Sequence, residues 1–132
     1  MRKLWIIAVI LLLGCVCFAA CAEQEAKEEA YMNITAHEAK EIMDNQTGYV
    51  ILDVRTQEEY DSGHIPGAIL IPDYEISTRA EAELPDKDQL ILVYCRSGRR
   101  SKNAAEALVQ LGYTNIREFG GIIDWPYEVV TD

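Results

Sequence analysis

Residues Gln89-Leu-Ile-Leu-Val-Tyr94 form the strongest strand signal in the chain and lead straight into Cys95-Arg-Ser-Gly-Arg-Arg100. A run this short, closed by a glycine-bearing loop, reads as a buried strand. At Ser101 the pattern changes to helical spacing, with Ala104, Ala105, Leu108 and Leu111 on one face and Gly112 as the stop signal. The same alternation recurs along the chain. Thr35 and Glu38 match a capping box ahead of Ala36, Ala39, Ile42 and Met43, predicting a helix that ends near Asn45 to Gly48. Tyr49 to Leu52 reads as a short strand, Thr56 to Asp61 as a short helix capped by Thr56, and Gly63 with Pro66-Gly67 as a loop. Ala68 to Ile71 is a further apolar run, Glu75 to Leu84 an acidic exposed helix, and Ile116 to Phe119 a last strand before Gly120-Gly121 and a short helix around Ile123 to Trp125. Strands alternating with helices predict an α/β domain, with a mainly parallel sheet and helices on both faces. In such sheets ligands bind beyond the carboxyl ends of the strands, where Cys95 lies.

The 132 residues suffice for one compact domain with a short extra segment. That segment is the N-terminus. Arg2 and Lys3 precede the apolar run Leu4 to Leu13, and small residues follow at Gly14, Ala19, Ala20 and Ala22. This is the layout of a secretory signal peptide over residues 1–22; the alternative is an uncleaved membrane anchor. Phe18-Ala19-Ala20-Cys21 resembles a bacterial lipobox, which makes Cys21 the candidate lipidated residue. Leu12-Leu13-Gly14-Cys15 and the A-x-A site Ala20-Cys21-Ala22 are the other cleavage options. Cys21 is favoured because polar residues begin almost at once after it. Residues 23–31, rich in Glu, Gln, Lys and Ala, read as a polar tether, and 32–132 as the folded domain. The expectation is export to the periplasm or cell envelope, with a possible lipid anchor.

Three of the four cysteines, Cys15, Cys17 and Cys21, fall in the targeting segment. Cys95 alone belongs to the body, so no disulfide framework forms within one mature domain. Without Arg2 and Lys3, 10 basic residues face 22 acidic ones, a balance of −12. That disfavours nucleic acid and anionic membrane surfaces as partners. His37 and His64 are far apart and no cysteine pair accompanies them, so neither a metal nor another cofactor is expected. A monomer is the simple expectation.

The chemistry concentrates on the loop. Gly98 permits a tight curl with positive φ, successive N–H groups can face inward as an anion nest, and the following helix points its positive end at the same spot. Arg96, Arg99 and Arg100 add cationic charge. Each influence favours thiolate, the nucleophilic form, over thiol. Basic residues at a helix start oppose the macrodipole and so call for an anion. The bland alternative is a buried structural cysteine before an ordinary helix.

Cys95 to Ser101 resembles the active-site loop of the rhodanese family. Leu52-Asp53-Val54-Arg55 with Glu58, Glu59 and Tyr60 resembles its early motif, Gly63-His64-Ile65-Pro66-Gly67-Ala68 its second, and Gly120-Gly121 with Trp125 its closing segment. The matches run in family order from about Asn33 to Trp125. The resemblance implies a central five-stranded parallel sheet and a persulfide-forming Cys95 cradled by the amides of Arg96, Ser97, Gly98, Arg99 and Arg100. It further implies sulfane-sulfur transfer from thiosulfate or a related small anion to a thiol or cyanide acceptor. Single-domain members include periplasmic thiosulfate sulfurtransferases. Asp53 and Arg55 read as a supporting ion pair, Arg55 also shaping the pocket rim; His64 reads as a scaffold residue and Trp125 as a core plug.

Three rivals remain in view. Certain dual-specificity phosphatases share the Cys-to-Arg loop logic but place arginine six positions after the cysteine, where this chain has Ser101. Thiol–disulfide exchange usually needs C-x-x-C, and residue 98 is glycine. A sulfur carrier serving one partner protein would use the same Cys95, and turnover of free thiosulfate separates it from an enzyme.

Overall fold

The computed structural model describes residues 30–132. The segment read as a signal peptide, with Cys15, Cys17 and Cys21, and nearly all of the segment read as a tether lie outside the described residues. Five strands, β1 (Met32–Asn33), β2 (Val50–Asp53), β3 (Ile69–Leu70), β4 (Ile91–Cys95) and β5 (Ile116–Gly121), form one sheet in the order β1-β5-β4-β2-β3. Every pairing is parallel. The helices are α1 (Ala36–Asn45), α2 (Gln57–Ser62), α3 (Ile76–Glu83) and α4 (Arg99–Gln110), with 3₁₀ turns at Asp73–Glu75 and Ile122–Asp124.

Both expected caps form. Thr35 accepts from the Glu38 amide and Thr56 from the Glu59 amide, with each glutamate reaching back to its N-cap backbone. These reciprocal bonds satisfy amides that a bare helix start would leave orphaned.

Strand β4 is central and buried along its whole length. Its alternate residues feed two cores. Val93 and Cys95 face α3 and α4 with Ile76, Ala80, Leu84, Ala104, Ala105 and Leu108. Leu92 and Tyr94 face the other side with Ala39, Ile65, Phe119 and Trp125. This is the period-2 alternation of a strand covered on both faces.

Three expectations change. The segment read as an exposed helix from Glu75 buries Ile76 and Ala80, with Leu84 just beyond its end, because α3 covers the sheet. Helix α4 begins at Arg99 rather than Ser101: Gly98, at φ 109°, is its N-cap, so two arginines enter the first turn. Strand β1 is too short and too exposed to announce itself in sequence; it forms because β5 offers it a parallel edge.

Candidate active site

Strand β4 delivers Cys95 to the carboxyl end of the sheet, where its side chain is 1% exposed. The chain must turn at once into α4, and Gly98 makes this possible by adopting the left-handed region. Of the amides expected to cradle the sulfur, that of Gly98 donates to Cys95 Sγ at 3.0 Å.

The loop is held from β5. Between Val93 and Cys95 on β4 the register shifts: Val93 pairs with Glu118, but Cys95 pairs with Gly121. Strand β5 therefore carries one extra residue, a bulge at which Gly120 takes φ 86°. Gly121 lies against the loop so closely that a Cβ there would sit 2.0 Å from the Arg96 carbonyl oxygen. Ile123 N–H donates to that same oxygen at 3.2 Å. Gly121 thus lets two backbones touch where any side chain would separate them.

The arginines divide into two kinds. Arg100 is committed: its two terminal nitrogens donate to both Glu59 carboxylate oxygens at 2.7 and 2.9 Å. That forked pair holds the Glu59 carboxyl at about 2, against the opposing pull of burial, with help from Thr56. An internal carboxylate therefore answers part of the demand for an anion that basic residues at a helix start create. Arg96 and Arg99 are exposed and have no carboxylate partner among the described residues. Among the described residues, the cationic side chains with neither a carboxylate nor a carbonyl partner are Arg96, Arg99 and Lys102, which follow Cys95 on its loop and the start of α4. The unpaired positive charge of the described residues therefore falls on this one segment of the chain.

Asp53 and Arg55 form a separate, buried assembly. Arg55 Nη2 donates to Asp53 Oδ2 at 2.7 Å and to the Gly63 carbonyl at 2.7 Å. Tyr94 O–H donates to Asp53 Oδ2 at 2.6 Å and accepts from Ile65 N–H at 3.1 Å. Burial first, and the Asp53 charge second, push the Tyr94 phenol well above its ordinary range. The assembly ties β2 and β4 to the 63–65 loop, and nothing in its hydrogen bonding reaches Cys95. His64 is buried, with Nδ1 2.9 Å from the Tyr60 carbonyl and its ring stacked on Tyr60 at 3.8 Å. Trp125 packs on Phe119 and Tyr127 and donates to the Glu128 carbonyl at 3.1 Å.

Sequence reasoning missed two members of the site. Ser101, fully buried, lies with Oγ 3.4 Å from Cys95 Sγ and 2.5 Å from Glu118 Oε1. Glu118, 2% exposed, also accepts from Gly120 N–H at 2.9 Å. A signal was present: Glu118 falls two residues after Ile116 in a strand, so it takes the same face of the sheet as that core residue. Among the described residues no cluster of His, Cys, Asp and Glu could hold a metal ion.

An all-parallel α/β domain that presents one cysteine at a strand end, in a loop closed by a left-handed glycine, is a scaffold for single-thiol chemistry on anions. The chain belongs to the rhodanese-like domain family, whose model matches residues 35–126. It is 42% identical over 73 residues to the thiosulfate sulfurtransferase PspE of Escherichia coli, covering 55% of this chain and 70% of that protein. It is 40% identical over 87 residues to the putative sulfur carrier protein YrkF of Bacillus subtilis, covering 65% of this chain and 46% of that one. The chain thus spans under half the length of YrkF. A solved structure described as rhodanese with anions from E. coli superimposes with a TM-score of 0.60 at 38% identity, covering 64% of this chain and 99% of that one.

Proposed function

We propose that this protein is a sulfurtransferase that moves sulfane sulfur from thiosulfate, or a related small anion, to a thiol or cyanide acceptor through a Cys95 persulfide. The observation that carries the reading is the setting of Cys95. Its sulfur accepts the Gly98 amide, and the exposed Arg96, Arg99 and Lys102 stand on the same loop and the start of α4 without a carboxylate partner among the described residues. The Cys95 thiolate attacks the outer sulfur of the donor; the donor S–S bond breaks and sulfite leaves with the electron pair. The resulting Cys95-S–S⁻ keeps its negative charge within reach of the loop amides. The acceptor then takes the outer sulfur and Cys95 returns as thiolate. The relatedness to PspE supports thiosulfate as donor. The relatedness to YrkF favours a second reading, a carrier that hands sulfur to one partner protein.

Thiocyanate formation from thiosulfate and cyanide tests the proposal, alongside the mass of the Cys95 peptide after thiosulfate alone. Turnover with a one-sulfur gain, both lost in Cys95→Ser, is the expected result. A mass gain without turnover would mean a carrier. Neither signal in folded, reduced protein would remove thiosulfate as donor.

The N-terminal pattern supports export, with Cys21 as a lipidated mature terminus in the periplasm or cell envelope. Incorporation of labelled fatty acid in wild type and its loss in Cys21→Ser is the expected outcome; label retained in the variant would overturn it.

A further inference from the structure

Glu118 is a buried carboxylate with no cation within 4.0 Å among the described residues. An ionised carboxylate left in that condition is costly, and its cost falls when it gains hydrogen bonds or takes up a proton. Its partners are the Gly120 amide and Ser101 Oγ, and Ser101 in turn meets the reactive sulfur. The geometry has a direction. Cys95 S–H points to Ser101 Oγ at 3.4 Å, and the single Ser101 hydroxyl proton has its shortest contact, 2.5 Å, with Glu118 Oε1. Its other acceptors, the Gly98 and Gly120 carbonyls, are farther at 2.9 and 3.4 Å. A 2.5 Å O–H···O contact is in the range of a charge-assisted bond to a carboxylate.

From this chain of contacts we infer that Glu118 is a positioning residue for Cys95, and that thiol and carboxyl share one proton through Ser101 so that the buried site carries one negative charge at a time. The inference deepens the proposed function, since it concerns the same sulfur. In the resting site the proton sits on sulfur and the charge on Glu118. As Cys95 Sγ meets the outer sulfur of the donor, the S–H bond breaks, its proton passes to Ser101 Oγ, and the Ser101 proton passes to Glu118 Oε1. Thiolate and neutral carboxylic acid replace thiol and carboxylate. No charge enters or leaves, and no proton has to reach water from a sulfur that is 1% exposed. When the acceptor removes the outer sulfur, the reverse transfer restores the resting pair.

The surrounding charges are few. Arg100 lies close enough for charge on Cys95 to raise its ionisation further, after the larger effect of its Glu59 bonds, and Asp73 acts on it from the turn before α3. Arg96, Arg99 and Lys102 stand on the loop and first turn of α4. Strand β1 sets only Met32 and Asn33 beside β5. None of these supplies a second proton acceptor to Ser101.

A carboxylate linked through Ser101 to a thiol opposes a second negative charge on the sulfur. Replacing Glu118 with its neutral isostere removes the opposition. The test is the pH dependence of iodoacetamide alkylation of Cys95 in the full chain, read on the Cys95 peptide by mass spectrometry, for wild type, Glu118→Gln and Glu118→Asp. The Glu118→Gln protein is expected to react about tenfold faster at pH 6, with a single-step profile displaced by about one pH unit to lower pH, the two being equivalent. The Glu118→Asp protein is expected to keep the slow wild-type reaction within about threefold, because it keeps the charge. A Glu118→Gln profile that superimposes on wild type, or moves to higher pH, overturns the inference. So does a Glu118→Asp profile that follows that of Glu118→Gln, since shape rather than charge would then govern the sulfur. A urea unfolding midpoint for each variant confirms that folded protein is compared. Alkylation needs no sulfur donor, so this result stands apart from the success or failure of thiosulfate turnover.

Discussion

Two carboxylates are buried in the described part of the molecule, Asp53 on β2 and Glu118 on β5, and the fold treats them differently. Asp53 is answered by a buried guanidinium two residues away, a phenol and a backbone amide, all aimed at its two oxygens. Glu118 has one amide and one hydroxyl, and that hydroxyl touches Cys95 Sγ. The first arrangement is closed: every donor in it ends inside the scaffold, so its work is to hold the 63–65 loop. The second is open at the sulfur end, where Ser101 Oγ meets Cys95 Sγ. One buried carboxylate has its countercharge built in beside it, and the other has hydrogen-bond donors alone.

The largest effect that would break this contrast is on stability. Asp53→Asn leaves Arg55 buried without its anion, and a loss of about 3–5 kcal/mol is expected, read by urea unfolding. Glu118→Gln, which removes no countercharge, is expected to cost about 1 kcal/mol. Equal losses would mean that both carboxylates are structural. Next comes the loop itself. Gly121→Ala forces a Cβ against the Arg96 carbonyl, at a cost of about 1–3 kcal/mol as overpacking. Because the displaced backbone is the one that cups Cys95, sulfur transfer is expected to fall at least about tenfold, a loss that one methyl far from the site would not cause. Unchanged transfer would show that the loop does not need its β5 support.

The smallest effect concerns the half-buried pair of Arg100 and Glu59. The Glu59 carboxyl is lowered to about 2, chiefly by Arg100. A carboxyl lowered on folding stabilises the native state above its unfolded value of about 4.3, and that contribution disappears as pH falls through about 2. Glu59→Gln is therefore expected to lower stability at pH 7 by about 1 kcal/mol or less, given the partial exposure, and to flatten the acid side of the stability curve between about pH 4 and pH 2. An unchanged acid limb would place the pH dependence elsewhere.

These differences track what local sequence can encode. The β4–loop–α4 unit was legible because its strand run, its glycine and its helical spacing are consecutive, and the caps at Thr35 and Thr56 because each box closes within three residues. The Asp53–Arg55 pair was legible for the same reason, its partners being two apart. Strand β1 was not, since two exposed residues carry no periodicity. Nor was the start of α4, because the left-handed Gly98 absorbs the turn alone and frees Arg99 for the helix.

By itself, then, the sequence determined the α/β order of elements, the single cysteine in the body of the chain and the basic loop around it. These rest on spacing, capping and charge within a few residues, which act before any distant contact forms. Only the tertiary structure decided that Arg100 would be spent on Glu59 while Arg96 and Arg99 stayed free, and that Glu118 would stand behind the sulfur. Ser101 and Glu118 are 17 residues apart, and they meet because β5 docks on β4 in a register broken by one extra residue. That register is fixed by burying Ile116 and Phe119 in opposite cores, a condition set by the whole sheet.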